Sequence, residues 1–228
     1  DEFLSVASHE LKTPLTSLKL QVQSLLEQPP SFTDQAEAQR LSSCLALTDR
    51  QVRRLERLIG NLLDVSRIAV GRFHLQVEDV DLPAMVRDVV AQFSAEITRS
   101  GAPVTLDLSQ HAIGRWDPLR LEQVIVNLLS NALKYGDGKA IDIKVTADDD
   151  AARLMVRDQG VGVDPANHAR IFERFERAVS VNYGGLGLGL YITRQIVQAH
   201  GGSIQVESAL GQGATFTVEI PRRRQEST

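Results

Sequence analysis

Apolar residues at the start of the chain recur in steps of four and three. Leu4, Leu11, Leu15, Leu18, Val22 and Leu25 mark the steps, with small Ser8 in the one remaining slot. This is the period of a coiled-coil seam. It predicts a helix running to about Glu27 and stopped by Pro29-Pro30. Thr33-Asp34-Gln35-Ala36-Glu37 then carries a capping pattern, after which Leu41, Leu45, Thr48, Val52, Leu55, Ile59, Leu62 and Ser66 repeat the seam. Two such helices joined by a short loop make an antiparallel hairpin. Alone it buries too little surface, and Leu26, Leu47, Leu58 and Leu63 add apolar residues off the seam. The economical arrangement is a homodimer forming a four-helix bundle.

Near Val70-Gly71 the period changes. Residues 72–77 alternate like a strand, and Asp81-Leu82-Pro83 opens a helix expected to reach about Arg99. Val104–Leu108 and Ile113–Trp116 read as short strands, and Asp117-Pro118 caps a helix to about Tyr135. Residues 141–146 and 153–156 form a hairpin around Asp148-Asp149-Asp150. A glycine-rich stretch leads into a helix over 190–199, and strands over 203–207 and 214–220 follow. Strands and helices mix without regular βαβ alternation, which predicts an α+β sandwich with helices on one face. The chain thus divides into a helical domain over 1–70, an α+β domain over 71–222 and a polar tail over 223–228.

Composition narrows the function. The 228 residues are 43% hydrophobic and 24% charged, which excludes general disorder. A net charge of -4 argues against nucleic acid as a partner, and Arg222-Arg223-Arg224 reads as a solvated end. The single cysteine, Cys44, excludes a disulfide framework within the chain, fits a reducing cytosol and reads as packing. No apolar run approaches the roughly 18 residues that span a bilayer, and no signal peptide is visible. Because the chain opens in the middle of a helical pattern, it reads as a cytoplasmic fragment without membrane contact, with any sensory or membrane portion upstream.

Three stretches carry candidate chemistry. In Ser8-His9-Glu10-Leu11-Lys12-Thr13-Pro14-Leu15, His9 comes just after a seam position and should be partly exposed. Pro14 has no N–H for the carbonyl of Glu10, so the helix should bend just past the histidine. Further on, Asn127, Asn131 and Tyr135 are spaced four apart on one helix face. Each mid-helix asparagine costs ~0.5 kcal/mol relative to a good helix former, so something should offset it. Amide oxygens suit Mg²⁺, and Lys134 adds a cation for phosphate; alternatively, both amides cap neighbouring loops. Asp158-Gln159-Gly160-Val161-Gly162 follows a strand, and its carboxylate could accept from an exocyclic amine such as that of adenine. Gly184-Gly185-Leu186-Gly187-Leu188-Gly189 precedes a helix N-terminus, where phosphate is favoured, yet fits neither a Walker A loop nor a dinucleotide fingerprint. His200-Gly201-Gly202 reads as a helix end with a left-handed cap and no chemistry.

Taken in order, these pieces resemble the catalytic core of a bacterial sensor histidine kinase, from Phe3 to Pro221. Ser8 to Pro14 is similar to the family's H-box, Asn127 to Tyr135 to its N-box, and Asp158 to Gly162 to its first glycine box. Ile171-Phe172-Glu173-Arg174-Phe175 resembles the F-box, Gly185 to Gly189 the second glycine box, and Gly211-Gln212-Gly213-Ala214-Thr215-Phe216 the last box. The resemblance implies a dimerisation and phosphotransfer hairpin followed by a GHKL-type ATP-binding domain. It implies ATP and Mg²⁺ as cofactors, a second copy as dimer partner, and a response-regulator receiver as acceptor. His9 would be the phosphoacceptor, and Glu10 would orient or deprotonate it. Thr13 matches the position that orients water when the partner is dephosphorylated. Asn131, helped by Asn127, would bind Mg²⁺; Lys134 and Arg177 would contact phosphates; Tyr135 would flank the nucleotide and Asp158 would read adenine. Gly160, Gly162, Gly185, Gly187 and Gly189 would line the site. Two departures stand out: Leu186 replaces the usual small hydroxyl residue, and the expected lid between Arg177 and Gly184 is short. The rival readings are an ATP-driven clamp, which would have no use for His9, Glu10 and Thr13, and a degenerate dimeric scaffold.

Overall fold

The computed structural model describes residues 11, 13–23, 35–69, 73–108, 111–176 and 186–222, with backbone alone at 35–37, 49–50 and 53–54. It contains two compact units, one built on Asp1–Val70 together with Gly184–Leu186 and the other on Gly71–Tyr183 and Gly187–Thr228. The expected two-part architecture, helices first and a mixed sheet with helices second, is the observed one.

In the first unit, α1 covers 13–23 and α2 covers Gln35–Ala69. They meet through polar groups. Thr48 Oγ1 donates to Gln21 Oε1 at 2.8 Å, Gln21 Nε2 donates to Ser17 Oγ at 3.1 Å, and Cys44 Sγ lies 3.9 Å from the Gln21 carbonyl oxygen. Cys44 is therefore a packing residue between helices. The seam divides in an alternating way. Leu11, Leu18, Leu41, Thr48, Leu55 and Leu62 are half-buried, whereas Leu15, Val22, Leu45, Val52 and Ile59 are 40% to 61% exposed. Off the seam, Leu58 is buried while Leu47 and Leu63 are exposed. The expected stop at Pro29-Pro30, the cap at Thr33 and Asp34, and the carbonyl of Glu10 at the expected bend lie outside the described residues. No helix among the described residues is long and apolar enough to cross a membrane.

The second unit runs β1 (Glu78–Asp81), α3 (Leu82–Gln92), α4 (Ser94–Ser100), β2 (Val104–Leu108), β3 (Ile113–Trp116) and α5 (Pro118–Tyr135). It continues with β4 (Ile141–Ala147), β5 (Ala151–Asp158), α6 (Gly189–Ala199), β6 (Ser203–Ser208) and β7 (Ala214–Pro221). Short 3₁₀ turns at Pro165–Asn167 and Arg170–Phe172 interrupt the stretch between β5 and α6. Five strands make one sheet in the order β2-β4-β5-β7-β6, with β2 parallel to β4 and the other pairs antiparallel. β1 and β3 form a separate antiparallel pair. α5 and α6 pack on the sheet and on each other, and α3 packs on α5. Leu121, Ile125, Leu128 and Leu129 of α5 are fully buried, as are Ile192 and Ile196 of α6 and Ile141, Ile143 and Ile220 of the sheet.

Local chemistry sets the helix starts. Asp81 accepts from the Ala84 N–H at 3.0 Å ahead of α3, and Asp117 accepts from the Arg120 N–H at 3.1 Å ahead of α5. In both cases a proline sits in the first turn, where its missing donor costs nothing.

Three expectations need correction. Residues 73–77 alternate in burial as expected of a strand but form none, and the strand begins only at Glu78. The segment is held by side chains instead of a ladder: the Gln76 N–H donates to Asp117 Oδ2 at 2.8 Å, and the Arg120 guanidinium lies 4.7 Å from the Phe73 ring centroid. The helix expected to reach Arg99 breaks at Phe93. The apolar stripe of Leu82, Val86 and Val89 ends there, and α4 buries none of its residues. Finally, Arg222 is no solvated tail residue. Its Nε donates to the Ile113 carbonyl at 2.8 Å and its Nη1 to the Asp148 carbonyl at 2.7 Å, while its own N–H donates to the Asp150 carbonyl. It thereby clips the end of β7 to β3 and to the β4–β5 turn. In that turn, the N–H of Ala151, the Arg153 guanidinium and the N–H of Asp150 hold the Asp148 carboxyl down at about 2.

Candidate nucleotide-binding site

The middle and last turns of α5 carry the polar face that the spacing singled out. Asn127 Nδ2 donates to the Gly189 carbonyl and to Thr193 Oγ1, at 3.3 Å each, so this amide ties α5 to α6. Asn131, one turn on, is half-buried and makes no hydrogen bond among the described residues. The alternative in which both amides serve as caps therefore describes Asn127 alone. One turn further, Lys134 Nζ donates to Tyr135 Oη at 2.8 Å and lies 4.6 Å from that ring's centroid, which gathers a cation and an aromatic face at the C-terminal end of α5.

The first glycine turn seats on that same end. The Val161 N–H donates to the Tyr135 carbonyl at 3.1 Å. A Cβ on Gly160 would lie 1.8 Å from that carbonyl oxygen, so only glycine permits the approach. Asp158 ends β5 with its carboxylate buried, and its Oδ1 accepts from the Gly160 N–H at 2.8 Å. Burial raises its pKa, and the N–H groups of Gly160 and Ala214 partly offset the rise. The loop before β7 closes over this turn. The Gly211 N–H donates to the Val161 carbonyl at 2.8 Å, and Ser208 Oγ donates to the Gly213 carbonyl at 2.6 Å while accepting from the Val163 N–H at 2.8 Å. Val161 is thereby held between α5 and the last box, and a Cβ on Gly162 would lie 2.0 Å from the Ala209 carbonyl oxygen.

At the opposite end, α6 starts at Gly189, and among the described residues no side chain caps its first turn. Its N–H groups and the positive end of its dipole are set for an anion. Gly187 precedes it at φ +66°, and its carbonyl accepts from the Phe175 N–H at 3.1 Å. Phe175 itself holds a left-handed φ of 66°, a conformation that costs a bulky side chain, and the Gly187 carbonyl braces it just ahead of α6. Leu186, at the position expected to carry a hydroxyl, is buried.

Asn127, Asn131 and Tyr135 thus run along one helix from the start of α6 to the Asp158 turn, roughly 12 Å at the helical rise. A ligand with an anionic end and an amine-bearing ring matches those two ends. No three His, Cys, Asp or Glu side chains cluster to hold an ion among the described residues. A divalent ion here would rest on amide oxygen, phosphate and water, which is the habit of Mg²⁺, and the Asn131 amide fits it. Thr13 lies exposed on α1. His9, Glu10, Arg177 and Gly185 lie outside the described residues.

Sequence reasoning missed several residues that shape this region. Thr193 is fully buried against Asn127, and its position four residues after Gly189, on the same face of α6, was the available signal. Arg174 Nη2 donates to Tyr191 Oη at 2.7 Å, with the guanidinium 4.9 Å from the ring centroid. His200, assigned no chemistry, accepts from the Asp117 N–H at Nε2 (3.0 Å) and donates from Nδ1 to the Ile196 carbonyl (2.8 Å), which requires the neutral ring protonated at Nδ1. It joins the C-terminal end of α6 to the start of α5, while Gly201 supplies the expected left-handed cap.

Residues 1–71 match the family described as His Kinase A (phospho-acceptor) domain, and residues 116–224 match the histidine kinase-, DNA gyrase B- and HSP90-like ATPase family. The chain is 37% identical over 229 residues to the circadian input-output histidine kinase CikA of Synechococcus elongatus, covering 97% of this chain and 30% of that protein. It is 34% identical over 225 residues to the sensor histidine kinase RppB of Synechocystis sp., covering 96% of this chain and 48% of that one. It thus spans a third to a half of the length of these relatives. Among solved structures it is similar to the Acinetobacter baumannii histidine kinase AdeS, with a TM-score of 0.68, 26% identity, and 94% and 98% of the two chains covered. It is also similar to full-length ShkA in complex with AMPPNP, with a TM-score of 0.70, 29% identity, and 99% and 46% covered.

Proposed function

The chain belongs to the sensor histidine kinases, as their catalytic core, and on that premise we propose that it moves the γ-phosphoryl group of ATP first to His9 and then to an aspartate of a response-regulator receiver. Residues 1–70 serve as the dimerisation and phosphotransfer domain, 71–222 as the ATP-binding domain and 223–228 as a polar tail. The observation that carries the reading is the layout along α5. Asn131, whose side chain makes no hydrogen bond among the described residues, stands between a helix start suited to phosphate and a buried carboxylate suited to adenine's amine.

The neutral His9 ring nitrogen attacks the γ-phosphorus in line. The N–P bond forms as the bond to the bridging oxygen breaks, ADP leaves with the electron pair, and Glu10 accepts or directs the ring proton. Mg²⁺ when bound neutralises charge on the phosphate oxygens. Asn131 and the Oδ1 of Asn127 would hold it, Lys134 and Arg177 would meet phosphate, and the first turn of α6 with Gly185, Gly187 and Gly189 would receive the phosphate chain. Tyr135 would flank the base, and Asp158, with Gly160 and Gly162, would read it. Most of the acceleration then comes from positioning and charge. Thr13 would orient water for dephosphorylation of the partner. The exposed half of the heptad seam supports a second copy of the chain as the dimer partner, and a reducing, ATP-containing cytoplasm is the compartment that suits Cys44 and the substrate.

The test is incubation with γ-labelled ATP and Mg²⁺, beside His9→Gln. Label that is acid-labile, base-stable and absent from the variant is the expected result. ATP turnover without label points to a clamp-type ATPase, and nucleotide binding without either points to a scaffold.

A further inference from the structure

The amide of Asn127 has its orientation set from one side. Both acceptors that it meets, the Gly189 carbonyl and Thr193 Oγ1, belong to α6, at 3.3 Å each. A carbonyl oxygen only accepts, so the amide must present its NH₂ group, and not Oδ1, to the Gly189 carbonyl. A Cβ built on Gly189 would lie 3.6 Å from Oδ1, which places that oxygen beside the first turn of α6. Thr193 has no solvent exposure, so its hydroxyl has no water to turn to, and Asn127 is the side-chain donor that it receives. The two contacts together hold the amide in place. With the Gly189 carbonyl as its one acceptor the amide would keep its NH₂ group on that side, but it would be held by a single contact about which it could pivot.

We propose that Thr193 is a positioning residue for the metal-assisted step: its Oγ1 locks the Asn127 amide so that Oδ1, the one atom of that side chain able to meet a cation, faces the nucleotide. The proposal rests on the nucleotide and Mg²⁺ reading above. Without the hydroxyl, the Gly189 carbonyl alone restrains the amide, which can pivot about that one bond and carry Oδ1 away from the cation. The loss should fall on the metal rather than on the nucleotide, as for an outer-shell group that orients a ligand.

The test uses the whole chain and a fluorescent ADP analogue, titrated with Mg²⁺ and with excess EDTA. The readout is the ratio of the two affinities. Thr193→Val, which keeps the shape and removes the hydroxyl, should lower that ratio roughly tenfold and leave binding in EDTA unchanged. Thr193→Ser should restore the ratio. If valine lowers the unfolding temperature, Thr193→Ala provides a second hydroxyl-free variant with the same expected outcome. An unchanged ratio in the hydroxyl-free variants, an equal loss with and without Mg²⁺, or no rescue by serine overturns the proposal. Asn131→Ala runs in parallel. If it too leaves the ratio intact, the Mg²⁺ reading itself fails; if it abolishes the ratio while Thr193→Val does not, only the role of Thr193 fails.

Discussion

In the α+β unit the large apolar side chains of α5, α6 and the sheet are sealed, with Trp116, Leu121, Ile125, Leu129 and Ile192 at 2% exposure or less. In the helical unit every second seam residue stands open, from Leu15 and Val22 on α1 to Leu45, Val52 and Ile59 on α2. The difference is geometric. A sheet covered by helices closes a core by itself, whereas two helices cover only one flank of each other and leave the second flank for further helices. One unit closes its own core, whereas the other leaves an apolar flank open.

Several measurements would break or sharpen that contrast. The largest effect is expected for His9→Gln, which should abolish phosphoryl incorporation while leaving nucleotide affinity unchanged; a fall in affinity would mean that the two units do not divide the work. Next, Val52→Asp combined with Ile59→Asp should convert a dimer to a monomer in sedimentation equilibrium without touching nucleotide binding, because both residues lie on the open flank. A dimer that survives would locate the interface elsewhere. Asn131→Ala should then cost on the order of tenfold or more in Mg²⁺-dependent nucleotide binding, with no change of oligomeric state.

A smaller effect is confined to stability. His200→Ala leaves the buried Asp117 N–H without its acceptor and should cost about 1–3 kcal/mol in urea unfolding, read from the α+β transition alone. The smallest concerns pH. Burial raises the folded pKa of Asp158, so its favourable contribution is fully present below the ordinary carboxylate value and is lost as pH rises through the folded pKa. The stability of the unmodified chain relative to Asp158→Asn should therefore be greatest in acid and fall toward neutrality. A flat difference between the two would show that the N–H groups of Gly160 and Ala214 cancel the cost of burial.

The order of motifs was legible because each rests on short-range chemistry. Asp117-Pro118 carries a helix-start signal in its own two residues, the four-residue spacing of Asn127, Asn131 and Tyr135 puts them on a shared face within a helix, and the two glycine turns announce close approaches of backbone. Residues 72–77 show where this stops. Their alternation is real in burial, yet Asp117 and Arg120 supply partners that no strand ladder provides. Arg222 belongs with them: its identity reads as solvated, and its carbonyl partners come from Ile113 and Asp148, far away along the chain.

By itself the sequence determined the periods, the caps and the order of the boxes, and with them the family, because all of these depend on neighbours within a turn or two. Tertiary structure decided the pairings across the fold. It made Asn127 a brace and left Asn131 open, although both are the same residue on the same face. It chose which half of the heptad seam each helix uses within the chain. It also turned His200 from a helix end into the acceptor for a backbone amide 83 residues away. Such choices depend on which groups come within about 3 Å in space, and distance along the chain carries no record of that.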